Sequence, residues 1–309
     1  MKKLVVLSIL VLSTLSSLSC TKKVQDNTVI FGVMSSMDYL PLAAAIEQGY
    51  LDESGVKLNI KKFFSAGERD AAFQSGNIDG TVIDYTGAVL QKAGGIELKL
   101  VSACDAPFYI VAGKSTGISD IAGLKGKKVA VSQNTVIDYC TDKALARAGL
   151  LPSDIEKVEI NRIPVRFEML DNGKIDATAL PEPFASKARG TGNKIITSNS
   201  ELGFAITGIM FTDKALKEKR ELIKKLYIAY NKGAQYIRTH STEEIKTVLI
   251  DEMGFAESDL EGALIPLYND ARPPSDDDLI SVAEWLIGRG LIDSGFDPKS
   301  LAAEGILPE

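Results

Sequence analysis

The sequence predicts an α/β fold built as two similar lobes, and three observations carry that prediction. Gly76-Asn-Ile-Asp-Gly-Thr81 recurs as Gly173-Lys-Ile-Asp-Ala-Thr178, and each copy runs on through apolar residues into a polar turn, so that Tyr85 falls opposite Glu182. Asp38-Tyr39 stands eleven residues before Gly49, and Asp138-Tyr139 stands eleven before Gly149. Between these landmarks short β-branched runs alternate with amphipathic stretches, the pattern of a largely parallel sheet flanked by helices. In such sheets ligands bind beyond the carboxyl ends of the strands. Two copies of a strand-to-helix turn therefore predict a cleft between two lobes.

Of the 309 residues, 1–19 read as a signal peptide: Lys2 and Lys3, an apolar run over 4–15, then small residues up to Cys20. The run is too short to serve well as a membrane span. Ser19-Cys20 resembles a bacterial lipoprotein cleavage site, although Ser17 stands where leucine is usual. Cys20 is the expected lipidation site and 20–27 the tether of an exported, membrane-anchored protein; the alternative is an ordinary signal peptide with an incidental cysteine. The remaining ~290 residues exceed the size at which one core divides. The expected division is 28–105 plus 209–309 as lobe 1 with a helical tail, and 106–208 as lobe 2. A net charge of −6 without a dense basic cluster argues against nucleic-acid binding. Cys104 and Cys140 are either one disulfide or two buried thiols. His240 is the sole histidine, so a transition metal has almost no ligands, and neither metal nor cofactor is expected.

Taken in order, 29–34 is a β-branched strand, followed by a capping pattern from Ser35 to Asp38 and a helix over 36–48 that stops at Gly49. A strand at 56–64 leads to a second cap, Ser65 to Glu68, and a helix that Gly76 terminates. Strands at 81–83 and 98–104 flank a helix opened by 84–87. An extended stretch at 107–113 reads as a crossover, after which the pattern restarts with a strand at 128–132. Thr135 and Asp138 cap a helix ending at Gly149, a strand covers 158–160, and Pro164 opens a helix ending at Gly173. Strands at 177–180 and 194–197 precede a second extended crossover at 203–212. From 213 onward the texture is helical: 214–240 with one apolar face, then 242–253, 258–267, and 274–289 carrying Trp285. This tail is expected to pack across the lobes.

The order of these features resembles the periplasmic solute-binding proteins of ABC importers, in the NMT1/THI5-like branch that holds sulfonate, taurine, nitrate and thiamine-pyrimidine binders. The residues that carry the resemblance are 41–50 ending in Gln48-Gly-Tyr50, Gly76-x-Ile-Asp79, Gly123-Leu-Lys-Gly-Lys-Lys-Val129, Gly173-x-Ile-Asp-Ala177 and Glu182-Pro-Phe184. It implies a type II periplasmic binding protein: two Rossmann-like lobes, two crossover strands and a helical C-terminal segment, closing as a monomer on a small ligand. It also implies delivery to a permease driven by a separate ATPase, in keeping with the absence of a Walker-type phosphate loop from this sequence.

Binding groups are expected where strands turn into helices, because unpaired N–H groups and positive helix ends collect there. The candidates are Ser36, Asp38, Tyr39, Ser65, Gly67, Asp84, Tyr85, Thr86, Gln133, Asn134, Thr135 and Glu182. Asp38 reads first as completing a capping box, and Asp84 as either an N-cap or a ligand group. Tyr39 and Tyr85 have faces suited to a planar ligand. Glu182 either caps its helix or accepts from an amino-substituted heterocycle. Arg69, Arg162 and Arg166 are the anion-binding alternative, with solvated charge as their default. The expected ligand is therefore a small planar, thiamine-pyrimidine-like heterocycle; the alternative is a sulfonate, taurine or nitrate type of anion. A sensor remains open. Catalysis is not expected, since related pyrimidine synthases need an active-site histidine and a cysteine-rich motif.

Overall fold

The structure, a computed structural model, describes residues 27–34 and 36–308. The expected signal peptide, Cys20, the tether as far as residue 26, and Ser35 lie outside the described residues. No helix among the described residues is long and apolar enough to cross a membrane.

Among the described residues, ten strands form two five-stranded sheets. The first sheet holds β1 (Thr28–Met34), β2 (Lys57–Phe63), β3 (Gly80–Asp84) and β4 (Leu98–Ala103). The second holds β5 (Phe108–Ala112), β6 (Lys128–Val131), β7 (Glu156–Glu159), β8 (Ala177–Pro181) and β9 (Lys194–Ser198). The chain then returns to the first sheet as β10 (Thr207–Thr212). The orders are β2-β1-β3-β10-β4 and β7-β6-β8-β5-β9, so each sheet has one strand, β10 or β5, inserted antiparallel between two others. The sheets are thus related in topology as the sequence repeat predicts.

Helices α1 (Leu40–Glu47), α2 (Tyr50–Ser54), α3 (Ala66–Gln74) and α4 (Tyr85–Ala93) belong to the first half. They are followed by α5 (Val136–Arg147), α6 (Ile163–Asp171) and α7 (Phe184–Gly190) around the second sheet. The tail supplies α8 (Asp213–Glu218), α9 (Arg220–Thr239), α10 (Lys246–Asp251) and α11 (Asp276–Gly288).

The repeated Gly-x-Ile-Asp-x-Thr sequence acts as a strand clamp, made twice with the same bonds. Gly76 and Gly173 take φ of 72° and 64°, left-handed values that glycine adopts without a Cβ penalty. Asp79 accepts from the N–H of Ile30 at 2.8 Å, and Asp176 from the N–H of Lys128 at 2.8 Å. Two residues on, Thr81 donates to the Gly32 carbonyl at 2.8 Å and Thr178 to the Ala130 carbonyl at 2.9 Å. Each copy therefore satisfies backbone groups of the adjacent parallel strand and fixes its register. Ile78 and Ile175, both buried, anchor the turn to the core.

Three sequence expectations change in detail. The stretches read as crossovers at 107–113 and 203–212 are mostly strands β5 and β10, and the links between sheets are the shorter segments 104–107 and 199–206. The helix expected over 214–240 breaks at Lys219 into α8 and α9. The helix expected at 258–267 is only a 3-10 turn over Glu257–Gly262. Cys104 and Cys140 are buried free thiols. The tail does bridge both halves: α9 packs on α1, whereas α11 packs on α4 and sends Trp285 and Arg289 to Asp138 and Asp142 of α5.

Candidate functional site

The two sheets meet at a cavity of about 50 Å³, built from the carboxyl ends of strands on both sides. Met34 ends β1, Asp84 ends β3, Ser132 follows β6, and Asn161 lies beyond β7. Four helices begin around it, with Ala66 of α3, Asp84 before α4, Val136 of α5 and Ile163 of α6 all in its lining. Their amino ends direct partial positive charge to one volume. Three of these ends are capped by side chains: Ser65 accepts from Glu68 N–H, Asp84 from Gly87 N–H, and Thr135 from Ile137 N–H. The fourth, α6, has no side-chain cap.

Two guanidinium groups line the cavity, and their surroundings differ. Arg69 is held by Asp70 at 2.8 Å and by Asp84 at 3.3 Å, so its charge is matched within the protein. Arg166, on the first turns of α6, is 1% exposed. Its Nη1 donates to the carbonyls of Ile160 at 2.9 Å and Asn161 at 3.4 Å, while its Nε has no partner. Burial lowers its pKa to about 10, with Glu159 opposing the shift. The group therefore stays charged near neutrality while lacking an ion-pair partner among the described residues. An unpaired buried charge is expensive unless something completes its bonding.

The acidic groups in the lining are occupied. Asp38 accepts from Ser36 and Thr207 hydroxyls, each at 2.9 Å, and burial pushes its pKa up to about 6. Asp84 accepts from Arg69, from the Thr86 hydroxyl and from Gly87 N–H at 2.7 Å. Beyond the inner cavity lies an outer chamber of about 560 Å³ between α3, α4 and the loops around 132–135 and Asn161.

Of the sequence candidates, Ser36, Asp38, Asp84 and Thr135 come together around the inner cavity. Ser65, Gly67, Gln133 and Asn134 line the outer chamber, which Asp84 and Thr135 share. Thr86 lines neither and serves Asp84. Tyr39 is 2% exposed within the core beneath β1, and Tyr85 is fully buried in the neighbouring core cluster. Neither tyrosine lines either space. Glu182 is also directed elsewhere. Its carboxylate accepts from Ser186 N–H at 3.0 Å and Leu264 N–H at 3.1 Å, so it ties α7 to the tail. His240 stacks on Tyr236 at the end of α9 and lines neither space.

The family model described as NMT1/THI5 like matches residues 36–244. The chain belongs to the NMT1/THI5-like family. Among relatives, it is 23% identical over 232 residues to the "Putative aliphatic sulfonates-binding protein" of Bacillus subtilis, covering 71% of this chain and 68% of that one. It is 27% identical over 219 residues to a "Putative ABC transporter periplasmic binding protein" of Brachyspira hyodysenteriae, covering 65% of this chain and 62% of that one. In fold it resembles the periplasmic aliphatic sulphonate binding protein SsuA from Escherichia coli, with a TM-score of 0.75, 17% identity, and 90% and 98% of the two chains covered. The periplasmic nitrate-binding protein NrtA from Synechocystis superposes with a TM-score of 0.70 at 15% identity, covering 89% and 84%. These likenesses agree with the type II periplasmic binding protein architecture.

The NMT1/THI5-like sequence carried a signal for Arg166 that the default of solvated charge passes over. The buried positions of α6 are Ile163, Arg166 and Leu170, an i, i+3, i+7 stripe in which a charged residue occupies a core-facing place. Ser132, Asn161 and Thr207 had no comparable signal, because their places depend on how the two halves meet.

Proposed function

We propose that this chain is the extracytoplasmic solute-binding protein of an ABC importer, and that it captures a small oxyanion head group in the interlobe cavity. The observation that carries the ligand class is Arg166: a charged, buried side chain with an unpartnered Nε beside the uncapped start of α6. An oxyanion supplies the missing acceptor and the missing charge, in the manner of anions at helix amino ends. Size agrees. The inner cavity is small, about 50 Å³, and suits a compact sulfonate, carboxylate or nitrate head better than a substituted ring; the tyrosines and Glu182 that favoured a heterocycle are absent from its lining. The sulfonate and nitrate binders among the neighbours support the same class.

In this reading the lobes are 28–105 with 209–309, and 106–208, closing about the links 104–107 and 199–206. The protein acts as a monomer, presents its ligand to a permease with a separate ATPase, and is held at the membrane through a lipid on Cys20. Titration calorimetry with methanesulfonate, nitrate, acetate and an aminopyrimidine tests the ligand class. Heat from at least one anion and none from the pyrimidine is expected; the reverse would refute it. Replacing Cys20 with serine should move the protein from the membrane to the soluble fraction, and unchanged partition would remove the anchor.

A further inference from the structure

The cavity lined by Arg166 is also lined by a carboxylate without a counter-charge. Asp38 lies on the 3-10 turn Met37–Tyr39 that follows β1, is 2% exposed, and lines the inner cavity together with Ser36 and Thr207. Its carboxylate accepts from those two hydroxyls, each at 2.9 Å, and from the backbone of Ala106. All three donors are neutral. A carboxylate has roughly four lone-pair sites, so one acceptor site remains.

The matching residue of the second half shows what a structural carboxylate looks like in this framework. Asp138, fully buried on α5, is paired with Lys157 at 2.6 Å and Arg289 at 2.8 Å. Asp38 has no ion pair among the described residues. The titratable groups facing it are Cys104 and Asp105 of the first link, Tyr85 of α4, Tyr230 of α9 and Tyr268 of the tail. Burial pushes the thiol and these tyrosines well up, so they are neutral. Asp105 is paired with Arg272 at 2.6 Å, and within the lining Asp84 is paired with Arg69. One unpaired guanidinium and one unpaired carboxylate therefore line a single small volume without pairing with each other.

We infer that the preferred ligand is an oxyanion that still carries one acidic hydrogen, a phosphonate or phosphate monoanion, whose P–OH donates to Asp38 while its charged oxygens meet Arg166. This rests on the oxyanion reading above and names the member of that class. A sulfonate, a carboxylate or nitrate has no such hydrogen near neutrality, so each sets an oxygen lone pair against the Asp38 carboxylate until Asp38 is itself protonated. An ammonium group brings three hydrogens to a carboxylate with one free site. The cavity, about 50 Å³, keeps a compact occupant close to both walls. Asp38 is thus the residue that separates proton-bearing oxyanions from bare ones.

The test compares methylphosphonate with methanesulfonate, two ions of nearly the same shape whose monoanions differ by one hydrogen. Titration calorimetry is run at pH 7 and pH 5 on the wild-type protein and Asp38→Asn. At pH 7 the wild type should bind methylphosphonate about tenfold more tightly, because Asp38 titrates at about 6 and protonating it one unit higher costs about a factor of ten. At pH 5 Asp38 carries its own proton, and the ratio should close toward one through a gain in sulfonate affinity. Asp38→Asn, which offers N–H donors where the carboxylate stood, should hold the ratio near one at both pH values. A wild-type ratio near one at pH 7 overturns the inference even if the variant fails to fold, and so does a ratio that ignores pH or survives the substitution. Tighter binding of taurine than of methylphosphonate also overturns it, by assigning Asp38 to an ammonium. All of these outcomes leave the oxyanion head standing. Failure of every anion to bind, methylphosphonate included, would overturn the head-group reading and this one with it.

Discussion

Replacing Arg166 with methionine should raise the stability of the unliganded protein while weakening oxyanion binding. The structure supplies each part of that expectation. Burial brings the guanidinium down to about 10, so the unliganded protein carries a net desolvation cost on the order of a few kcal/mol. Against this stand two Nη1 bonds, to Ile160 and Asn161 carbonyls at 2.9 and 3.4 Å, together worth about 1–2 kcal/mol. Methionine fills similar volume without charge, so the net gain is about 1–2 kcal/mol, a rise of a few degrees in Tm for a chain of this size. In the complex, truncating one member of a buried charge pair costs about 2–5 kcal/mol, on the order of thirtyfold to several thousandfold in Kd. Thermal melts without ligand and titration calorimetry with methanesulfonate read the two quantities separately. A variant that loses several kcal/mol of stability, or one that binds the anion as wild type does, would refute the reasoning: Arg166 would then be a structural cation.

Three further outcomes follow from the same geometry. Arg69→Met should behave oppositely to Arg166→Met, losing about 3–5 kcal/mol in chemical denaturation, because it strands the carboxylates of Asp70 and Asp84 that Arg69 now pairs. Glu182→Ala should lower Tm, since it leaves the N–H groups of Ser186 and Leu264 without an acceptor at about 1–3 kcal/mol each, yet methanesulfonate affinity should stay within about twofold; a tenfold loss would return Glu182 to the site. For Asp38, the folded pKa of about 6 lies above the ordinary carboxyl value of 3.8, so the folded state holds this proton more tightly than the unfolded state does. Its contribution to stability is most favourable below the unfolded value, declines as pH rises from there toward about 6, and is level beyond. An anion in the cavity raises that pKa further, so affinity should increase from pH 8 to pH 5, and Asp38→Asn should flatten the profile.

How much of this was legible in the sequence depends on whether the causes are local. The Gly-x-Ile-Asp-x-Thr repeat was visible because one turn needs glycine at a left-handed φ, one buried isoleucine, one carboxylate for a neighbouring N–H and one hydroxyl for a neighbouring carbonyl. All of these requirements fall within six residues, and they recur wherever a parallel strand is clamped. The caps at Ser65, Asp84 and Thr135 were legible for the same reason. The orientations of Tyr39, Tyr85 and Glu182 were not. Glu182 is claimed by Leu264, 82 positions away, and Asp38 by Thr207, 169 positions away. No window of local sequence contains those partners.

The two copies of the repeated turn also explain why a duplicated framework yields an asymmetric site. After the first clamp the chain presents Asp84, whose carboxylate caps α4 and pairs with Arg69 inside the cavity lining. After the second it presents Glu182, one methylene longer and followed by proline, which reaches away to the tail and caps α7 from the far side. The first turn therefore contributes an anion already neutralised by its own arginine, and the second withdraws its anion altogether. Arg166, arriving on α6 between β7 and β8, has no ion-pair partner among the described residues. It is thus left unpaired, although Asp38 also lines the cavity, because of where two acidic side chains were sent. Placing an acidic group to face Arg166, for example by Asn161→Asp, should pair that guanidinium and abolish anion binding with little loss of fold stability. Retention of methanesulfonate binding in a folded Asn161→Asp protein would show that the charge balance of the cavity does not select the ligand.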